Sequence, residues 1–255
     1  MDLPKDNSSY KDKEYWNNRF AKEDTFEWCK SYKEFRHLLR GHVRTCDRVL
    51  ILGCGNSGLS EDMYNEGYTD ITNIDYSPIV IENMKRKCHA MRGMEWKVMD
   101  ITKLDFPPNS FDVVIEKATL DALLVAEKDP WNPSVEALKT MECVLSKVSE
   151  ILEPGGHFMS ITFSQPNFRL PFLARSCYNW SISVQTYGES FHFFFFLMEK
   201  GKQLSEKHKE VETVFDNRLN GSNRLGQSSF GFCVEEDTED FLFNICLEND
   251  DNAEI

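Results

Sequence analysis

Residues 48–58 read RVLILGCGNSG. An apolar run that halts at a glycine suits a strand covered on both faces. The glycines that follow, Gly53, Gly55 and Gly58, let the backbone turn sharply and approach a ligand closely where a helix begins. Strand, glycine loop and helix start together point to a nucleotide-cofactor loop. The spacing also fits the dinucleotide fingerprint G-x-G-x-x-G, and a strand-to-helix turn with no ligand is the plain alternative.

Outward from this stretch the chain alternates. A helical stretch runs to about Gly67, and ITNIDYS (71–77) reads as a second strand. Helical spacing follows over 79–91, then a third strand, MEWKVMD (94–100), and a fourth, SFDVVIEK (110–117). A long helical segment covers about 134–152, EPGG (153–156) breaks it, and HFMSITF (157–163) is a fifth strand. SISVQTYGES and FHFFFFLMEK read as two more strands joined by a tight turn at Gly188-Glu189. The expected fold is a doubly wound α/β domain: seven strands, mostly parallel, with an antiparallel C-terminal hairpin. The FHFFFF run alternates between the two sheet faces, where packing is a better account than a substrate mouth.

The flanks carry less signal. Residues 1–14 are expected to be loose, 15–45 to be helical, and 15–248 to form one domain. Polar residues 201–230 read as a loop, and 230–248 as a last strand or helix. The acidic tail 249–255 is expected to be disordered.

Several residue types fall where ligands bind in open α/β sheets, at the carboxyl ends of strands. Asp75 ends the second strand, 20 residues past Gly55, where a carboxylate can accept both ribose hydroxyls of an adenosine cofactor. Tyr76 can lie against the adenine. The plain alternative for Asp75 is a cap on the next helix. Asp100 ends the third strand and can accept an adenine amino group, with Ile101 beside it; the plain alternative is a turn acid. Two acids in this pattern favour S-adenosylmethionine over a nicotinamide cofactor. Glu116-Lys117 ends the fourth strand, with Asp121 just beyond. Glu116 and Asp121 are the candidates for a catalytic base, and a solvated ion pair is the alternative for Glu116-Lys117.

Composition bounds the function. The 255 residues carry a net charge of −13, with 41% hydrophobic and 28% charged residues. That balance argues against direct nucleic-acid binding and suits a basic protein partner, or simply solubility. No apolar run approaches the length of a membrane span. The opening MDLPKDNSSYKDKEYW carries neither a secretory nor a transit pattern, so a cytoplasmic protein, acting as a monomer, is expected. The 8 cysteines form no C-x-x-C pair, which leaves zinc without support and suggests reduced thiols.

The runs LILGCGNSGLS, NIDYS, MDITKLDFPPNSFDVVIEKATLDALL and EPGGHFMSIT resemble class I S-adenosylmethionine-dependent methyltransferases, a Rossmann-like family. EKATLDA (116–122) is similar to the [D/E]-K-G-T-L-D-A motif of a narrower group that methylates lysine, whose members act on translation elongation factor 1-alpha. DPWNPS and YGESFHFFFFLMEKG strengthen that likeness, which covers roughly residues 10–200. The resemblance implies S-adenosyl-L-methionine as cofactor and elongation factor 1-alpha as protein substrate. It implies cofactor contacts from Trp16, Phe20, Trp28, Gly53, Asp75, Tyr76, Asp100, Ile101 and Lys117. Two positions depart from the family pattern. Phe20 stands where tyrosine is usual, removing a hydroxyl, and Ala118 replaces glycine, a change expected to matter little. Three rivals stay open: a small-molecule methyltransferase, an NAD-dependent oxidoreductase, and a non-catalytic interaction module that kept the fold.

Overall fold

The computed structural model describes residues 4, 6–189 and 191–221; the expectations for 230–248 and the acidic tail lie outside them. Seven strands form one sheet: β1 (Val49–Leu52), β2 (Ile71–Asp75), β3 (Met94–Val98), β4 (Phe111–Lys117), β5 (Leu152–Thr162), β6 (Trp180–Tyr187) and β7 (Phe193–Lys200). Their order is β3-β2-β1-β4-β5-β7-β6. β1 to β5 run parallel, while β7 lies antiparallel between β5 and β6. The sheet class and the antiparallel C-terminal pair therefore match the sequence expectation.

Among the described residues eight α-helices accompany the sheet: α1 (Lys13–Phe20), α2 (Tyr32–Leu39), α3 (Leu59–Asn65), α4 (Pro78–Lys87), α5 (Thr119–Leu124), α6 (Val135–Ile151), α7 (Pro166–Leu173) and α8 (Glu206–Gly221). The uniformly apolar β1 has a direct cause. Val49 and Ile51 pack into one core with Phe35 of α2, Met63 of α3 and Met84 of α4. Leu50 and Leu52 point the other way, into a second core with Val144 and Val148 of α6 and Phe172 of α7. A strand covered on both faces has no solvated side, so it does not alternate with polar residues. The phenylalanine run behaves likewise. Phe193 and Phe195 join the first core, Phe194 and Phe196 the second, and none lines the cavity described below.

Five expectations need correction. Residues 15–45 are not one helical stretch: α1 ends at Phe20, and α2 begins at Tyr32. Between them Cys29 and Lys30 hold left-handed backbone, φ 55° and 70°, with no glycine or proline nearby to announce the break. Residues 7–11 form a 3-10 helix with Tyr10 buried, where a loose segment was expected. EPGG lies inside β5 rather than before it. Phe111 pairs with Leu152 and Val113 with His157, so the four residues bulge out of the ladder. The β6–β7 connection is not a two-residue turn, because Tyr187 pairs with Phe193 and 188–192 intervene. Finally, 206–221 is helix α8, packed on α7 through Phe172 and Phe215 and tied to the segment after α7 through Arg175–Asp216 and Ser176–Glu212 contacts.

Candidate active site

One cavity of about 360 Å³ opens at the carboxyl ends of β1, β2 and β4, within the range usual for small-molecule sites. Its wall includes Trp16, Phe20, Trp28, Gly53, Gly55, Asp75, Tyr76, Asp100, Ile101 and Lys117, all the cofactor residues named from the sequence. Asp121 also lines it; Glu116 does not.

The glycine loop is shaped by close approach. Gly53 has φ +59°, and a Cβ there would fall 2.4 Å from the Thr119 side chain. Thr119 in turn donates its hydroxyl to Leu52 O at 2.9 Å, fastening α5 to the end of β1. Only glycine allows both the dihedral and the contact. Asp75 is 5% exposed and accepts Gly55 N–H at 3.0 Å and Ser77 N–H at 2.9 Å. Burial pushes its carboxyl up to about 6, against the backbone hydrogen bonds that lower it. Each oxygen keeps a second lone pair for a hydroxyl donor. Asp100 Oδ1 is committed to the Thr102 amide and hydroxyl, each at 2.8 Å, so one of its oxygens caps the turn over 101–103.

The aromatic cover comes from a strap before α2. Trp16 stacks on Phe20 with centroids 5.4 Å apart, and Phe20 lies over Gly55. Tyr10 and Phe26 join this wall, although the sequence named only Trp16, Phe20 and Trp28 as contacts. Polar staples fix the strap to the loop. Glu27 accepts Gly58 N–H at 2.6 Å and the Ser57 hydroxyl at 2.8 Å. Lys117 donates to Glu27 at 2.9 Å and to Trp28 O at 2.6 Å, so its ammonium serves the strap. Asn56 and Asn83 donate to Glu23 O and Phe20 O, at 3.1 and 3.0 Å. Glu27 had no signal in the sequence because its partners lie 30 or more residues away.

The two candidate bases part company. Glu116 is fully buried; its Oε2 accepts the Thr119 and Leu120 amides at 3.0 and 3.1 Å, and Oε1 accepts the Ser160 hydroxyl. It holds the start of α5 rather than facing the cavity, which removes it as a base. Burial pushes its carboxyl up, while the Arg169 charge pulls it down. Ala118 also corrects an expectation. Its φ of +59° is left-handed backbone, so alanine in place of glycine carries strain.

The donor set fits an adenosyl sulfonium cofactor: a glycine cradle, a buried acid aimed at that cradle's amide, and an aromatic roof. The fold is that of a class I S-adenosylmethionine-dependent methyltransferase. The chain belongs to this family, since the methyltransferase-domain profile matches residues 45–216. It is similar over 249 residues to EEF1A lysine methyltransferase 4 of Mus musculus, 41% identical and covering 96% of both chains. With the Bos taurus counterpart it is 44% identical over 207 residues, 80% of this chain and 81% of the relative. Among solved structures, it superposes on N-methyltransferase NodS from Bradyrhizobium japonicum in complex with S-adenosyl-L-homocysteine. That TM-score is 0.59 at 15% identity, covering 77% of this chain and 100% of the other, a likeness of fold.

Proposed function

We propose that this chain is a protein-lysine N-methyltransferase that uses S-adenosylmethionine and acts on translation elongation factor 1-alpha. The observation that carries the reading is the meeting of the whole cofactor set in one cavity, in a chain 41% identical over nearly its full length to an enzyme of that name. Asp75 holds the ribose, Tyr76, Asp100 and Ile101 the adenine, and the Gly53–Gly55 loop passes close to the amino-acid end. Trp16, Phe20 and Trp28 roof the site, and Lys117 anchors that roof through Glu27.

The bound cofactor supplies an electrophilic methyl on a positively charged sulfur. The chain's own task is to present a neutral amine. Lysine has a pKa near 10.4, so reaching its neutral form at neutral pH costs roughly 4–5 kcal/mol. An apolar wall of Ala122, Leu123 and Phe163 disfavours the ammonium and lowers that cost. Fixed orientation contributes much of the rest. The proton can leave through water, so a dedicated base is not required. Among the described residues no helix is long and apolar enough to cross a membrane. A cytoplasmic monomer without direct nucleic-acid contact is the matching physical setting, given a net charge of −13 and a cytoplasmic target.

Supplying labelled S-adenosylmethionine to fractionated extract separates this reading from the small-molecule one. Label should enter protein and be recovered as methyllysine; label confined to metabolites would defeat it.

A further inference from the structure

Two cations line the cavity, and they are not equivalent. Lys11 is half-exposed and lies 3.6 Å from the exposed Glu136. Lys117, at the end of β4, is buried, with 5% of its side chain exposed. A buried ammonium needs a counter-charge. The acids that follow β4 do not supply it: Glu116 is turned to the amides of α5, and Asp121 is paired with Arg169. Glu27 does, with its Oε2 2.9 Å from Lys117 Nζ. Glu27 itself does not line the cavity; it holds Lys117 from the strap side.

Glu27 has two separable duties. Its Oε1 accepts Gly58 N–H at 2.6 Å, and its Oε2 accepts the Ser57 hydroxyl at 2.8 Å. Those contacts need only a polar group, which glutamine also has. The Lys117 ammonium needs a negative charge, which glutamine lacks. That charge bears on the cofactor, because the two forms that the site must bind differ by one charge. S-adenosylmethionine carries a positive sulfur, and S-adenosylhomocysteine a neutral one. An unmatched ammonium on the wall would repel the first and not the second, so the site would fill with its own product. Water screens such effects between exposed charges, but this lysine is held out of water.

We infer that Glu27 is a specificity-determining residue that keeps the cavity receptive to the cationic cofactor by cancelling the Lys117 charge. The inference rests on the methyltransferase reading and deepens it.

Calorimetry on the full chain tests it without turnover, read as the ratio of S-adenosylmethionine to S-adenosylhomocysteine affinity. Glu27→Gln should shift that ratio toward the homocysteine compound by about fivefold, the effect of one unit charge acting through a partly screened wall. Lys117→Gln should weaken both ligands, since Lys117 lines the site, and shift the ratio the opposite way. It leaves Glu27 with 23% of its side chain exposed and strands no buried charge, so it decides the matter alone should Glu27→Gln fail to fold. Glu27→Asp, which keeps the charge, should stay closer to the parent ratio than Glu27→Gln does. A roof that is merely loosened would weaken both ligands equally and leave the ratio where it was. An unchanged ratio in Glu27→Gln, or a ratio that is unchanged or moves toward the homocysteine compound in Lys117→Gln, would overturn the inference. Shifts in the expected directions, in a chain that methylates no lysine of elongation factor 1-alpha, would sink the substrate assignment and leave the charge pair standing. Lysine methylation with unchanged ratios would do the reverse, and failure of the parent chain to bind either ligand would overturn both.

Discussion

Two buried acids, Asp75 and Asp121, line one cavity and are held in opposite ways. Asp75 is fixed by backbone amides from its own neighbourhood of the sheet, Gly55 and Ser77. Asp121 is fixed by side chains, Thr162 and Arg169, that lie 41 and 48 residues away in sequence. Backbone donors come with a strand-loop-helix pattern and cannot be mutated away. Side-chain partners depend on two distant elements arriving correctly, and each can be deleted. The Asp75 end is therefore robust, and the Asp121 end, which rests on side chains, is fragile.

Breaking the fragile side should have the largest effect. Asp121→Asn leaves the fully buried Arg169 guanidinium without its counter-charge. We expect about 3 kcal/mol lost in denaturant unfolding, the low end for a broken buried pair, because Glu116 still feels the Arg169 charge. Adding Arg169→Gln should restore most of it. If the single variant is as stable as the parent, the pair is not a structural unit.

Asp75→Ala comes next. Two hydrogen bonds from hydroxyls to a carboxylate are worth about 1.5–3 kcal/mol each, so cofactor affinity should fall about 100-fold or more by calorimetry, with smaller change in stability. Unchanged affinity would remove Asp75 from the site.

The same acid gives a milder, reversible test. With its carboxyl near 6 in the folded chain, Asp75 is ionised above that pH and protonated below it. Hydroxyl donors need the ionised form. Cofactor affinity should therefore be full above about pH 6 and fall by up to about tenfold per unit below it. Asp75→Asn should bind weakly and flatten the profile.

The smallest effect concerns Ala118, which links the two ends. Left-handed backbone costs alanine about 1–2 kcal/mol, and glycine's extra freedom in the unfolded chain offsets about half. Ala118→Gly should raise stability by about 0.5 kcal/mol, a melting shift of about 1–2 °C. A drop instead would mean that the alanine methyl makes packing contacts that outweigh the strain.

The same contrast explains what the sequence made legible. RVLILG, Asp75 and Asp100 were readable because each is a local pattern at a strand end, and their placement needs only the alternation of strand and helix. The break at Cys29-Lys30 was not, because neither residue type signals left-handed backbone. The Glu27 staple was hidden since its partners, Ser57, Gly58 and Lys117, sit on other elements. Glu116 misled for a related reason: a charged pair at a strand end looks like chemistry, whereas one member caps a helix and the other anchors a strap. Helix α8 was missed because its polar composition resembles a loop; its docking rests on Arg175 and Ser176 contacts to its acidic face.

The most direct test of the central claim is transfer of labelled methyl from S-adenosylmethionine to purified elongation factor 1-alpha by the full chain, with Asp75→Ala alongside. The account predicts label on a lysine side chain with the wild type and its loss with the variant. Cofactor binding without label on any lysine would contradict it.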